Sequence, residues 1–132
     1  MKKTVYENIY TRLQQLKILD ESGKMQVDYM KFKSEGLMDL NVDNLLNDMI
    51  ALAHNGIQNG DVMADPDVQI QIYPETKSAE ALTFQNDYLG IYQEVYDEEK
   101  CNKSLKKDLN EFLNDWLRTI IEVQEYKLAE TE

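Results

Sequence analysis

Val68-Gln69-Ile70-Gln71-Ile72 alternates apolar and amide side chains residue by residue, the period of a strand with one face buried and the other wetted. Working outward from it, Pro74 to Ser78 supply turn residues, Ala79 to Gln85 read as a second strand, Asn86-Asp87 open another turn, and Gly90 to Tyr96 read as a third. Connections this short join antiparallel neighbours, so the economical layout is a meander of three or four strands. C-terminal to it, after Asn102 and Ser104, the residues Leu105, Leu109, Phe112, Trp116, Ile120 and Val123 form one helical stripe, widened by Leu113, Leu117, Ile121 and Leu128. An apolar face that broad calls for a sheet beneath it.

At the other end, Thr4-Val5-Tyr6-Glu7 has the form of a capping box, and Tyr6, Ile9, Leu13 and Leu16 recur at helical steps until Asp20-Glu21-Ser22-Gly23. The stretch between is ambiguous. Met25, Val27 and Tyr29 alternate as in a short strand. Asn41 is placed to cap a second helix through Val42, Leu45, Leu46, Met49, Ile50 and Ala53, although Ile50 to Ala53 also fit the start of a strand. The expected fold is a single α+β domain over residues 1–132: an N-terminal helix, the small antiparallel sheet, and a long amphipathic C-terminal helix packed on it. The last few residues are expected to be disordered.

The chain has 132 residues and a net charge of −11, and its twelve aromatic residues, eight of them Tyr, argue for a packed core. Residues 41–93 hold one basic residue, Lys77, against eight acidic ones. Direct nucleic-acid binding rests on neutralising phosphates with Lys and Arg, which this segment lacks. A basic protein partner, a metal ion, or imitation of nucleic-acid charge suits it better. One Cys and one His exclude a zinc finger and an internal disulfide. Tyr6, Glu7, Asn8 and Tyr10 interrupt what would be a signal core, and no apolar run approaches the roughly 18 residues of a membrane span. The expectation is a cytoplasmic monomer or small homo-oligomer, away from membranes.

From His54 to Pro66 the apolar pattern lapses and Asn55, Gly56, Asn59, Gly60 and Pro66 mark a loop. His54 is the one side chain whose ordinary pKa lies near neutrality. Asn59, Asp61, Asp65 and Asp67 follow it and offer oxygens of the kind a hard cation takes, though not at EF-hand spacing. Turn closure by Asp and Asn explains the same residues. Nucleophilic and phosphate-cradling motifs are missing: there is no Gly-x-Ser-x-Gly elbow, Gly-x-Gly-x-x-Gly or P-loop, and Cys101 follows Asp97-Glu98-Glu99, whose carboxylates oppose a thiolate. Glu80, Asp87 and Glu94 along the sheet are expected on a solvated face. Tyr88, Tyr92 and Tyr96 fit either an exposed interface or packing beneath the long helix.

The string His54-Asn-Gly-Ile-Gln-Asn-Gly-Asp61-Val-Met-Ala-Asp65-Pro-Asp67, with Ala79 to Asp87 and Leu89 to Tyr96, resembles an uncharacterised bacterial family of small acidic proteins often carried on phages, plasmids and conjugative elements. Asn55 stands where that pattern leads one to expect an aromatic residue. Leu109 to Leu117 is similar to the C-terminal helix of a second uncharacterised bacterial family. The resemblance implies a mobile-element setting and no reaction. The leading expectation is therefore a non-enzymatic interaction or accessory protein with an acidic surface and no cofactor, for which His54, Asn59, Asp61, Asp65, Asp67, Asp87 and Tyr92 are the candidate binding residues. The alternatives are a metal-dependent enzyme built on His54, Asp61, Asp65 and Asp67, and a nucleic-acid-mimicking inhibitor with regularly spaced carboxylates.

Overall fold

The computed structural model describes residues 3–132. Helix α1 (Val5–Gln15) is followed by strands β1 (Tyr29–Lys33), β2 (Leu40–Leu46), β3 (Met49–Gln58), β4 (Asp61–Tyr73), β5 (Ser78–Asn86) and β6 (Ile91–Glu94). A two-stranded hairpin of β7 (Tyr96–Asp97) and β8 (Lys100–Cys101) leads into helix α2 (Lys103–Glu122), and β9 (Lys127–Thr131) ends the chain. The main sheet has the order β6-β5-β4-β3-β2-β1-β9, with every neighbouring pair antiparallel.

The mixed α+β content, the N-terminal helix and the long C-terminal helix are as expected. Thr4 and Glu7 close the capping box on each other's backbone N–H at 3.2 and 3.0 Å, and Asn102 caps α2 by accepting from the Leu105 amide at 3.0 Å. Among the described residues the sheet has seven strands where three or four were expected, and it is not a pure meander. The chain crosses by α2 from the β6 side and returns as β9 beside β1. The end expected to be disordered is thus a paired strand, and Leu128, assigned to the helical stripe, is half-exposed on it.

The second helix expected after Asn41 is the hairpin β2–β3. Leu46, Asn47 and Asp48 all take positive φ (71°, 54° and 60°), so a tight turn is built without glycine. The Asn44 carboxamide helps by accepting from the Leu46 amide at 3.1 Å. The turn changes the phase of the apolar alternation, and Val42, Leu45, Leu46, Met49 and Ile50 then mimic helical spacing. The expected loop from His54 to Pro66 is likewise strand, the far end of the β3–β4 hairpin.

One face of the sheet carries Met30, Phe32, Leu40, Val42, Ile50, Leu52, Val68 and Ile70, all buried in one core cluster with Ile9 and Leu13 of α1 and Leu109, Leu113, Leu117 and Ile120 of α2. Each such side chain contributes about 1.5–3 kcal/mol on burial. Asn110 of α2 is fully buried beside β5. Its carboxamide accepts from the Ala81 amide at 2.6 Å and donates to the Lys106 carbonyl at 2.7 Å. It serves the β5 edge where β6, paired only with Thr83–Asn86, no longer reaches. Among the described residues no helix is long and apolar enough to cross a membrane.

Candidate functional site

Strand alternation decides where the candidate residues go, because neighbours along a strand point to opposite faces. His54 pairs in register with Leu40 and lies on the core side. Its ring meets Trp116 edge-on with centroids 5.0 Å apart and lies 5.6 Å from the Tyr126 ring. It is buried, and its Nε2 has no hydrogen-bond partner among the described residues. Burial pushes its pKa below the ordinary value, partly opposed by the Asp65 carboxylate. A neutral ring wedged against an aromatic pair is a packing element.

Asn59 and Gly60, with φ of 52° and 85°, form the two-residue turn of the β3–β4 hairpin between paired Gln58 and Asp61. Asn-Gly suits such a turn because both central positions need positive φ. Asp61 is therefore at an exposed tip, several pairs from His54. Asp65 accepts from the Asn86 side chain at 2.9 Å. Asp87 ties the end of β5 to β4: it accepts from the Gln85 carboxamide and from the Ala64 amide, both at 2.7 Å, and these bonds hold its carboxyl below the usual range. Asp67 pairs with Ala53 and Gln85 and lies on the opposite face from His54. The structure thus separates His54, Asp61 and Asp67. Among the described residues no group of three or more His, Cys, Asp or Glu is arranged to hold a metal ion.

The strand positions of opposite phase to the core form two rows across the sheet. One runs Tyr29, Asp43, Ala51, Gln69, Thr83, Glu94; the other runs Glu130, Lys31, Asn41, Ala53, Asp67, Gln85, Tyr92. His54 against Trp116, and Phe84 against Phe112 at 5.7 Å, place α2 on the core side, so these rows form the open face. Ala51 and Ala53, only 8% and 6% exposed between their taller neighbours, make a low strip along β3, with Asp43 and Asn41 on the β2 side and Asp67 and Gln69 on the β4 side. Burial among neighbouring side chains raises the pKa of both Asp43 and Asp67, and for Asp67 the nearby carboxylates of Asp43 and Asp87 add to the shift. Tyr29 donates to the Asn41 carboxamide, which in turn donates to Asn55 at 2.6 Å. Tyr92 ends the second row, 57% exposed. With Glu94 it belongs to the open face and not beneath the helix. Each row holds only two carboxylates, not a regular phosphate-like ladder.

Asp43, Ala51 and Ala53 were not singled out in the sequence. The signal available was Ile50-Ala-Leu52-Ala, a strict alternation of large and small side chains. Glu80, expected on a solvated face, is buried, and accepts from the hydroxyls of Tyr73 at 2.6 Å and Tyr96 at 2.9 Å.

A family model described as a domain of unknown function, DUF6908, matches residues 12–127. No curated protein matches the chain, and no solved structure matches it.

Proposed function

The chain belongs to the DUF6908 family, and we propose that it is a non-enzymatic interaction protein whose open sheet face receives a basic protein partner. The observation that carries this reading is the strip of Ala51 and Ala53 with Asp43 on one side and Asp67 on the other. Both carboxylates are held in an environment that penalises their charge. A lysine or arginine laid along the strip relieves that penalty, so binding is linked to charge complementarity and not to apolar area. Tyr29 and Tyr92, at the ends of the two rows, add ring surface with polar tips of the kind enriched in interfaces. The resemblance noted above adds the proposed setting: an accessory factor of a bacterial mobile element, acting in the cytoplasm.

Affinity capture on the wild-type chain and on Asp43→Asn/Asp67→Asn tests this. At ~0.15 M salt the wild type retains a basic protein, and retention falls several-fold in the double variant and again at several-fold higher salt, where exposed charges are screened. Equal retention by the two chains contradicts the reading.

A further inference from the structure

A second feature shares no residue with the open-face rows. The start of α1, the β4–β5 turn and the first turns of α2 enclose a cleft of about 340 Å³, at the lower end of the range of small-molecule sites. In its wall is Glu80, the one buried carboxylate among the described residues. Lys106 lies 3.5 Å from Glu80 and sits over the rings of Tyr6 and Tyr96 at 5.5 and 5.7 Å. Glu80 is buried while the Lys106 side chain is 32% exposed; even a partly buried ion pair is seldom more stable than apolar packing, so a carboxylate and an ammonium side by side in a cleft invite a functional reason.

The lining narrows the ligand class. Glu80 and Lys106 neutralise each other, and Glu7 is held in the capping box, which leaves no unmatched cation for an anion among the described lining residues. Lys106 already takes the place over the tyrosine rings that a cationic ligand would need. Thr76 and Ser78 present hydroxyls 2.8 Å apart, so the walls are too polar for an apolar guest. What remains is a neutral molecule rich in hydroxyls. Each carboxylate offers about four lone-pair sites, and Glu80 Oε1 uses one of its two for Tyr73. A ligand hydroxyl can donate to Oε1 while a neighbouring ligand oxygen accepts from Lys106 Nζ. The Thr76 and Ser78 hydroxyls can do either.

We propose that this cleft is a binding site for a small neutral polyol of monosaccharide size, held between Glu80, Lys106 and the Thr76–Ser78 hydroxyl pair. The test is a ¹H–¹⁵N NMR titration of the full chain with D-glucose, D-galactose, D-mannose and D-ribose, each to roughly 20 mM, beyond the millimolar dissociation constants of weak binding. At least one sugar is expected to give saturable shifts centred on Tyr6, Thr76, Ser78 and Lys106. Ser78→Ala removes only a hydroxyl, Thr76→Ala a hydroxyl and a methyl group, and Lys106→Met the ammonium; each is expected to weaken binding at least tenfold with spectral dispersion retained. Absence of saturable shifts with all four sugars overturns the proposal. So do shifts that persist unweakened in Ser78→Ala and Thr76→Ala, or the same shift pattern produced by inorganic phosphate.

Discussion

The two faces of the sheet use the same strands for opposite purposes, and His54 and Asp67 show the contrast most clearly. Close in sequence and joined through one register pair, Ala53 with Asp67, they end on opposite sides. His54 faces the helices, where its neutral ring fills space between Trp116 and Tyr126. Asp67 faces the other way, half-buried, where burial and then the carboxylates of Asp43 and Asp87 penalise its charge. The lesson is that a run of polar residues is not a site until strand alternation has been applied to it. One side of the hairpin is packing chemistry and the other is surface electrostatics.

The largest effect that separates the faces belongs to Trp116→Ala. Trp116 is buried between His54 and Phe112, and truncation is expected to cost about 3 kcal/mol or more in urea denaturation. A loss under 1 kcal/mol would mean that α2 does not cover His54.

Acidification distinguishes the faces by sign. His54 has a folded pKa below its unfolded one. The stability this gives is fully present above the unfolded value of about 6.5 and is lost as pH falls through the folded value. Asp43 and Asp67 have folded pKa values above the unfolded one. Their favourable contribution is present in acid and lost as pH rises, so at neutral pH their charges oppose folding. Denaturation midpoints of the wild type are expected to drop on going from pH 7.5 to 5.5, and His54→Phe is expected to flatten that dependence. An unchanged slope in His54→Phe would show that the ring is not buried in its neutral form.

The smallest effect is on the open face. Asp67→Asn is expected to change stability by about 0 to 0.5 kcal/mol at pH 7, towards greater stability, as befits a half-buried position whose charge is penalised. A destabilisation above 1 kcal/mol would make Asp67 a structural residue and the contrast between the faces would fail.

The sequence reveals most where local chemistry and the burial pattern agree. Thr4 with Glu7, and the stripe from Leu105 to Ile120, satisfy backbone and core demands together, and both helices follow. Val68 to Ile72 shows its alternation because Gln69 and Gln71 lie half-buried on the face opposite the core, where the Gln71 carboxamide donates to the Asn47 and Asp48 carbonyls. The pattern fails in β2–β3, where Leu46, Asn47 and Asp48 turn the chain without glycine. It fails again from Asn55 to Asp67, where Ala64 is the one buried residue among those described and too little is buried to enforce alternation. For the candidate site, Asp67 and Tyr92 were legible as polar residues beside strands. Asp43 with its alanine strip was hidden, because cross-strand neighbours distant in sequence assemble only once register is known.

The most direct measurement is a ¹H–¹⁵N NMR titration of the full chain with an oligolysine peptide at ~0.15 M salt. Saturable shifts are expected at Asp43, Ala51, Ala53, Asp67, Gln69 and Gln85, abolished in Asp43→Asn/Asp67→Asn. Shifts spread evenly over the acidic residues of the chain, or centred on α2, would contradict the open-face reading.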